Sequence, residues 1–167
     1  MIRAAVAQGW GSATAKACNQ PFPDCTRCRR PGSQELRASW GCDAPASRSV
    51  WESGCPRCGG TDSECARCGG KGVASHRRCP EAIIREAPRS TQAVIELLIR
   101  AYSHYDRRNV LPAPGGWLDQ TKSFILCVDL IDAERGYWEG LLNEHHDRER
   151  QRAEAKSRGG AGVRRGR

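Results

Sequence analysis

Residues 55–72 read Cys55-Pro56-Arg57-Cys58-Gly59-Gly60-Thr61-Asp62-Ser63-Glu64-Cys65-Ala66-Arg67-Cys68-Gly69-Gly70-Lys71-Gly72. Two cysteines separated by two residues can direct both sulfurs to one ion, and a following glycine lets the backbone turn so that amides point back at those sulfurs. A tetrahedral zinc needs two such pairs. The stretch therefore predicts a zinc knuckle, with a disulfide pair or a set of surface thiols as the alternative.

A third pair with the same spacing, Cys25 and Cys28, lies upstream and needs partners, for which Cys42 and Cys79 are the natural candidates. The sequence thus predicts two zinc ions and eight ligands: Cys25, Cys28, Cys42, Cys55, Cys58, Cys65, Cys68 and Cys79. Their grouping stays open, because the pairs can interleave and His76 can replace Cys79. Cys18 is a spare candidate, and Cys127 is expected to be a small buried apolar residue.

Large apolar residues are scarce and unevenly placed. Val, Leu, Ile and Phe account for 25 of 167 residues, about 15%, and 18 of them lie in residues 81–147 while the first 80 residues hold six. Such a front half is not expected to offset a chain entropy of ~1–2 kcal/mol per residue, so it needs cross-links. Residues 1–12 lack the apolar segment of a secretory signal, which favours reduced thiols and metal over disulfides.

The predicted fold class is a small zinc-stabilised irregular or β module followed by an α-helical hairpin. We expect a flexible lead over residues 1–17, a cysteine-rich zinc-binding module over 18–80, the helical hairpin over 81–147, and a basic, largely disordered tail over 148–167. No transmembrane span is expected.

Helical periodicity appears after Pro80. A short helix over residues 81–86 precedes an amphipathic helix over residues 91–107, for which Ser90 is the predicted cap. Two prolines and two glycines predict a turn over residues 109–118, and Asp119 is the predicted cap of a second, longer helix. The apolar stripe of that helix comprises Ile125, Val128, Ile131, Trp138 and Leu142. Residues 145–156 can continue as an exposed helix, whereas residues 158–167 are expected to be disordered.

Charge is segregated along the chain, whose formal net charge is +8. Residues 1–80 carry 12 basic and 6 acidic side chains, residues 81–147 carry 7 and 11, and residues 148–167 carry 8 and 2. Two zinc ions with four thiolates each would remove about four positive charges from the front part. The basic composition therefore overstates how strongly the folded module attracts nucleic acid.

Two resemblances follow from these motifs. Cys65-x-x-Cys68-x-Gly70-x-Gly72 matches the repeat of the zinc-binding region of DnaJ-type chaperones, and Cys55-x-x-Cys58-x-Gly60 matches it up to the last glycine, where Asp62 stands. The similarity covers about 18 residues, and the chain has no His-Pro-Asp signature of a J domain. The resemblance therefore implies a zinc knuckle and not cochaperone activity.

The second resemblance spans roughly residues 25–142. Trp40-Gly41-Cys42-Asp43-Ala44-Pro45, Arg78-Cys79-Pro80 and the stretch from Leu111 to Gln120 are similar to small cysteine-rich proteins encoded among the structural genes of bacteriophages and prophages. This resemblance implies a component of the head, neck or tail of a phage particle or an assembly factor. It also implies a location in the bacterial cytoplasm or in the virion.

No pattern typical of a nucleophile with its base, of paired catalytic carboxylates or of a phosphate loop is present, so we expect a non-enzymatic protein that docks on another protein. The alternative is a zinc protein that binds nucleic acid through its arginines and the basic tail, including Arg164 and Arg165. A redox or metal-delivery enzyme ranks third, because the sequence offers no thioredoxin-like context for the cysteine pairs. Trp117 is a candidate docking residue, or else it folds back between the two helices.

Overall fold

The computed structural model describes residues 1–59 and 61–161. It contains a two-stranded antiparallel sheet, a cysteine cluster and helices, the last of which is long. The elements in chain order are α1 (Ile2–Val6), a π-helical turn (Ala7–Gly11), α2 (Ser12–Ala17), α3 (Cys25–Cys28), α4 (Gln34–Ser39), β1 (Trp51–Gly54), β2 (Val73–His76), α5 (Pro80–Arg85), α6 (Arg89–Arg108), a 3-10 turn (Trp117–Asp119) and α7 (Lys122–Ala161).

The N-terminal segment differs from the flexible lead expected from sequence. Residues 2–17 are helical, and Ala4, Val6 and Ala7 are almost fully buried in the main core. These side chains are small, so α1 can approach α7 closely, and the segment contributes to the core without the large apolar residues that a periodicity pattern requires.

α7 is the element around which the core is assembled. It packs against α1, α2, the π-helical turn, β1 and α6. Its Val128, Ile131 and Trp138 are buried, as the stripe predicts. The cysteine-rich part and the helical part therefore share one core, to which β1 contributes Trp51 and α6 contributes Tyr102.

α6 and α7 fold back on each other through the turn predicted over residues 109–118. Tyr102 contacts Asp132, whereas Tyr105, one turn later in α6, contacts the earlier Phe124 of α7, as in an antiparallel pair. The predicted caps are displaced by a few residues. α6 begins after Pro88 rather than Ser90, and Asp119 lies in the 3-10 turn, so that the Thr121 hydroxyl accepts a bond from the Phe124 amide instead.

The C-terminal part is more helical than expected. α7 continues to Ala161, well into the tail predicted to be disordered, and at 1.5 Å per residue its 40 residues span about 60 Å. Arg150 pairs with Asp147 and Arg152 with Glu149, each one turn apart on the exposed surface, which supports the helix. None of the helices within residues 1–59 and 61–161 is long and apolar enough to cross a membrane.

Candidate metal centre

A β-hairpin carries the knuckle at its tip. β1 and β2 pair in antiparallel register from Trp51 opposite His76 to Gly54 opposite Val73. The ladder continues one step further, because the Cys55 amide donates to the Gly72 carbonyl at 2.8 Å. The two ends of the loop over residues 55–72 are thereby held together, and all four cysteines of the predicted knuckle lie within this loop.

The four sulfurs of Cys55, Cys58, Cys65 and Cys68 converge. All lie within 4.8 Å of one another, with Sγ–Sγ distances of 3.9 Å between Cys55 and Cys65 and 3.7 Å between Cys58 and Cys68. A tetrahedral zinc with bonds of about 2.3 Å places its sulfurs about 3.8 Å apart. The spacing therefore fits one ion with four thiolate ligands.

The two halves of the loop have the same backbone turn. The Gly59 amide donates to the Cys55 carbonyl and the Gly69 amide to the Cys65 carbonyl, each at 2.8 Å. Both glycines have a positive φ, +56° and +59°, which a residue with a side chain rarely adopts. The glycine after each pair is thus required by the turn.

Backbone amides aim at the first sulfur of each pair. Hydrogen bonds from the amides of Arg57 and Cys58 lower the pKa of Cys55 to about 6, and those from Cys68 and Arg67 lower the pKa of Cys65. The pKa of Cys68, in contrast, is raised to about 11, chiefly by burial. The thiolate is the form that binds metal, so the amides favour the binding form at two of the four positions.

The other four predicted ligands line one small cavity. Cys25, Cys28, Cys42 and Cys79 surround a space of about 30 Å³, and Cys28, Cys42 and Cys79 are buried. Burial and the adjacent thiols of Cys79 and Cys28 raise the pKa of Cys42 to about 12. Within residues 1–59 and 61–161, however, the knuckle is the one group of three or more possible ligands whose donor atoms all lie within 4.8 Å of one another. The structure thus separates the eight cysteines into two groups without interleaving.

The remaining candidates lie elsewhere. His76 does not replace Cys79, because its ring stacks on Trp51 at 3.9 Å between centroids and its Nε2 lies 2.8 Å from the Ser53 hydroxyl. Cys127 is buried in α7, as expected, and burial raises its pKa. Cys18, at the end of α2, lines neither group and is also a free thiol.

Of the candidate docking residues, Trp117 folds back. Its ring packs at 5.5 Å from that of Tyr105 and 6.1 Å from that of Phe124, while its neighbour Leu118 is 93% exposed. The two glycines before Trp117 allow the turn that brings the ring inward. Arg164 and Arg165 lie outside the described residues.

Sequence reasoning missed a buried ion pair beneath the hairpin. Arg3 of α1 contacts Glu134 of α7, which is fully buried, and also donates to the Gly54 carbonyl at the end of β1. Burial raises the pKa of Glu134 to about 7, although Arg3 opposes this shift. The sequence offers one signal for this pair: Arg3 is the single charged residue of the Ala-rich helix α1. The pair links the N-terminal helix, the hairpin and α7.

A scan against protein-family models and searches of curated proteins and of solved structures find no match for this chain.

Proposed function

We propose that this chain is a non-enzymatic zinc-binding protein that docks on another protein. The observation that carries the proposal is the convergence of four thiols at the tip of the hairpin. Four thiolates fill every position of a tetrahedral zinc, which leaves none for water or substrate, and such closed sites are structural.

Zinc at the knuckle would stabilise more than the loop. The loop over residues 55–72 contains no large apolar side chain, so its folding depends on the ion, and binding and folding become one event. The loop connects β1 to β2. Trp51 of β1 belongs to the main core, and the hydroxyl of Ser53 in β1 contacts Arg3 of the Arg3–Glu134 pair. Zinc would therefore fix the hairpin against α7.

The surface of α6 supports a protein partner. Ile95 and Tyr102 are buried, whereas Val94 and Leu97 are 54% and 65% exposed. The helical part is also net acidic. Val94 and Leu97 lie one turn apart, and this exposed apolar pair is the part of α6 that we expect a protein partner to cover. The resemblance to phage proteins supplies the class of partner, a structural or assembly protein of the particle, and with it a location in the host cytoplasm or the virion.

The zinc part is tested by elemental analysis of the purified, reduced protein. We expect bound zinc, the loss of one ion in Cys58→Ser and in Cys65→Ser, and no loss in the buried control Cys127→Ser. A chelator should unfold the hairpin. Zinc-free protein with free thiols and an unchanged circular dichroism spectrum would overturn this part.

The docking part is tested by binary binding assays with each protein encoded by the flanking genes. Leu97→Ser should weaken binding to the partner at least 10-fold, whereas Leu126→Ser, at a similarly exposed leucine of α7, should leave it unchanged. Binding that is equally strong in both variants, or weaker than ~100 µM for every flanking product, would overturn it.

Nucleic acid is the alternative partner, and several of the arginines near the cysteines are already engaged. Arg78 pairs with Glu86, Arg29 with Glu81, and Arg77 donates to the Ala46 carbonyl. These contacts favour a structural role for the three arginines and a protein as the partner.

A further inference from the structure

We propose that Cys25, Cys28, Cys42 and Cys79 form a second thiolate metal centre, at the opposite end of the hairpin from the knuckle. The proposed function requires only the knuckle, so the second centre goes beyond it and either can fail alone.

The first two ligands lie on one face of a one-turn helix. Asp24 caps α3, accepting bonds from both the amide and the hydroxyl of Thr26. Residues three apart on a helix are neighbours, so this turn directs Cys25 and Cys28 to the same side. The Ser33 hydroxyl donates to the Cys28 carbonyl at 2.6 Å and holds the chain that leads into α4.

The other two ligands are brought together by a close backbone approach. Gly41 has a φ of +65°, and a Cβ there would lie 2.2 Å from the Arg77 carbonyl oxygen, so a side chain has no room. The Cys79 amide donates to the Gly41 carbonyl at 3.4 Å. Cys42 and Cys79 are thereby held side by side. Cys42 lies in the segment that leads into β1, and Cys79 lies in the segment that follows β2.

These four cysteines form a buried group that is distinct from the main core. Cys28, Cys42 and Cys79 are 6%, 7% and 2% exposed, and they pack with Ala82 and with the half-buried Leu36 and Trp40. So few apolar neighbours provide little hydrophobic stabilisation. Four thiols from three separate segments around one cavity are better explained by a shared ion than by apolar packing.

The charges around the cavity match a thiolate metal site. Zinc with four thiolates carries a net charge of −2. Three arginines and one glutamate line the cavity: Arg29, Arg37, Arg85 and Glu81. Arg85 also donates to the Cys42 carbonyl at 3.2 Å, which anchors it beside the sulfurs. Arg37 also pairs with Asp43 and Arg29 with Glu81, so Arg85 is the guanidinium group that would most directly stabilise the anionic centre.

The sulfurs must move closer together to bind one ion, since no three of the four lie within 4.8 Å of one another as those of the knuckle do. The space of about 30 Å³ that the four cysteines line is the place where a single ion would bind. We therefore expect the second centre to bind zinc with lower affinity than the knuckle.

The test is cobalt titration of the reduced full-length protein, followed by visible absorption, with metal content measured in parallel. Wild type should bind two ions with the absorption of tetrahedral cobalt thiolates, and Cys42→Ser and Cys79→Ser should each bind one. Cys58→Ser should also bind one, and Cys18→Ser, the matched control, should bind two.

The knuckle acts as an internal reporter of folding in these variants. If Cys42→Ser keeps one cobalt with thiolate absorption, the chain is folded and the lost ion belonged to the second centre. Alkylation with mass spectrometry should further show Cys25, Cys28, Cys42 and Cys79 protected until a chelator is added. One ion in wild type that is retained in Cys42→Ser and lost in Cys58→Ser, or a disulfide among these four cysteines, would overturn the second centre and leave the knuckle intact.

Discussion

Gly11 lies against the indole ring of Trp138, and a Cβ built on Gly11 would meet Cζ2 at 2.9 Å and Cε2 at 3.0 Å. The N-terminal helical segment therefore packs face to face with the middle of α7. Only a glycine allows this approach, because the ring is buried and is also held by Phe22 and Tyr137.

Gly11→Ala should consequently destabilise the protein by about 1–3 kcal/mol, the usual cost of overpacking a core. Alanine has a higher helix propensity than glycine, so propensity alone predicts that Gly11→Ala stabilises the protein. Gly9→Ala is the matched control: it is exposed, has nothing within 4 Å, and should stabilise by up to about 1 kcal/mol. Urea unfolding measures both. A gain in stability for Gly11→Ala would contradict the packing.

A second prediction concerns Glu134, whose pKa is raised from 4.5 to about 7 by burial. Between these two values the folded state holds a proton that the unfolded state has lost, so the contribution of Glu134 to the free energy of unfolding falls as the pH rises. Glu134→Gln removes this dependence. The stability of the variant relative to wild type should therefore rise by about 1.5 kcal/mol between pH ~5.5 and ~7.

The measurement is urea unfolding at several pH values in saturating zinc, which keeps the knuckle loaded. Glu144→Gln, an exposed carboxylate on the same helix, should follow the wild-type profile. If the Glu134→Gln profile runs parallel to that of wild type, the carboxyl is not perturbed by its environment.

A third prediction tests the contact between α6 and α7. The buried Tyr102 hydroxyl donates to Asp132 at 2.5 Å and accepts from Arg135 at 2.8 Å. Tyr102→Phe should cost about 0.5–1.5 kcal/mol, because the hydroxyl's hydrogen bonds are lost while Asp132 is exposed to solvent and Arg135 keeps its contact with Asp106. In Tyr105→Phe the ring keeps its contacts with Trp117 and Phe124, so thermal unfolding should differ little from wild type. Equal melting temperatures for the two variants would refute the network.

The knuckle and the two long helices could be predicted from sequence for separate reasons. Cysteine pairs followed by glycine determine a local turn, and all four sulfurs lie within residues 55–72, so no long-range information is needed. The apolar stripe of α7 likewise depends on local periodicity. The grouping of Cys25 and Cys28 with Cys42 and Cys79 depends instead on the register of the hairpin and on Gly41, which spacing alone does not reveal.

The N-terminal segment could not be predicted because its burial relies on small side chains. Ala4 and Ala7 give no amphipathic signal, and Gly9 and Gly11 normally disfavour a helix. The segment is positioned by its fit to Trp138 and by the contact of Arg3 with Glu134, both more than 120 residues away in the chain. Beyond residue 147 the apolar stripe has ended and exposed ion pairs support α7 instead, so periodicity left a helix over residues 145–156 open without requiring it.

The last prediction separates a protein partner from nucleic acid by its response to salt. Six arginines near the cysteines are exposed: Arg27, Arg29, Arg30, Arg57, Arg67 and Arg77. If these arginines and the tail bind phosphates, counterion release must lower the affinity for DNA or RNA by orders of magnitude between ~50 and ~200 mM salt. Deletion of residues 158–167 must then make the affinity less dependent on salt.

We expect weak binding at ~150 mM salt, because zinc would offset charge in the cysteine-rich part and the helical part is net acidic. Fluorescence anisotropy with labelled oligonucleotides measures this, and the zinc-loaded, full-length chain is the reference. Sub-micromolar binding at ~150 mM salt that disappears with the tail would establish nucleic acid as the partner and overturn the docking proposal.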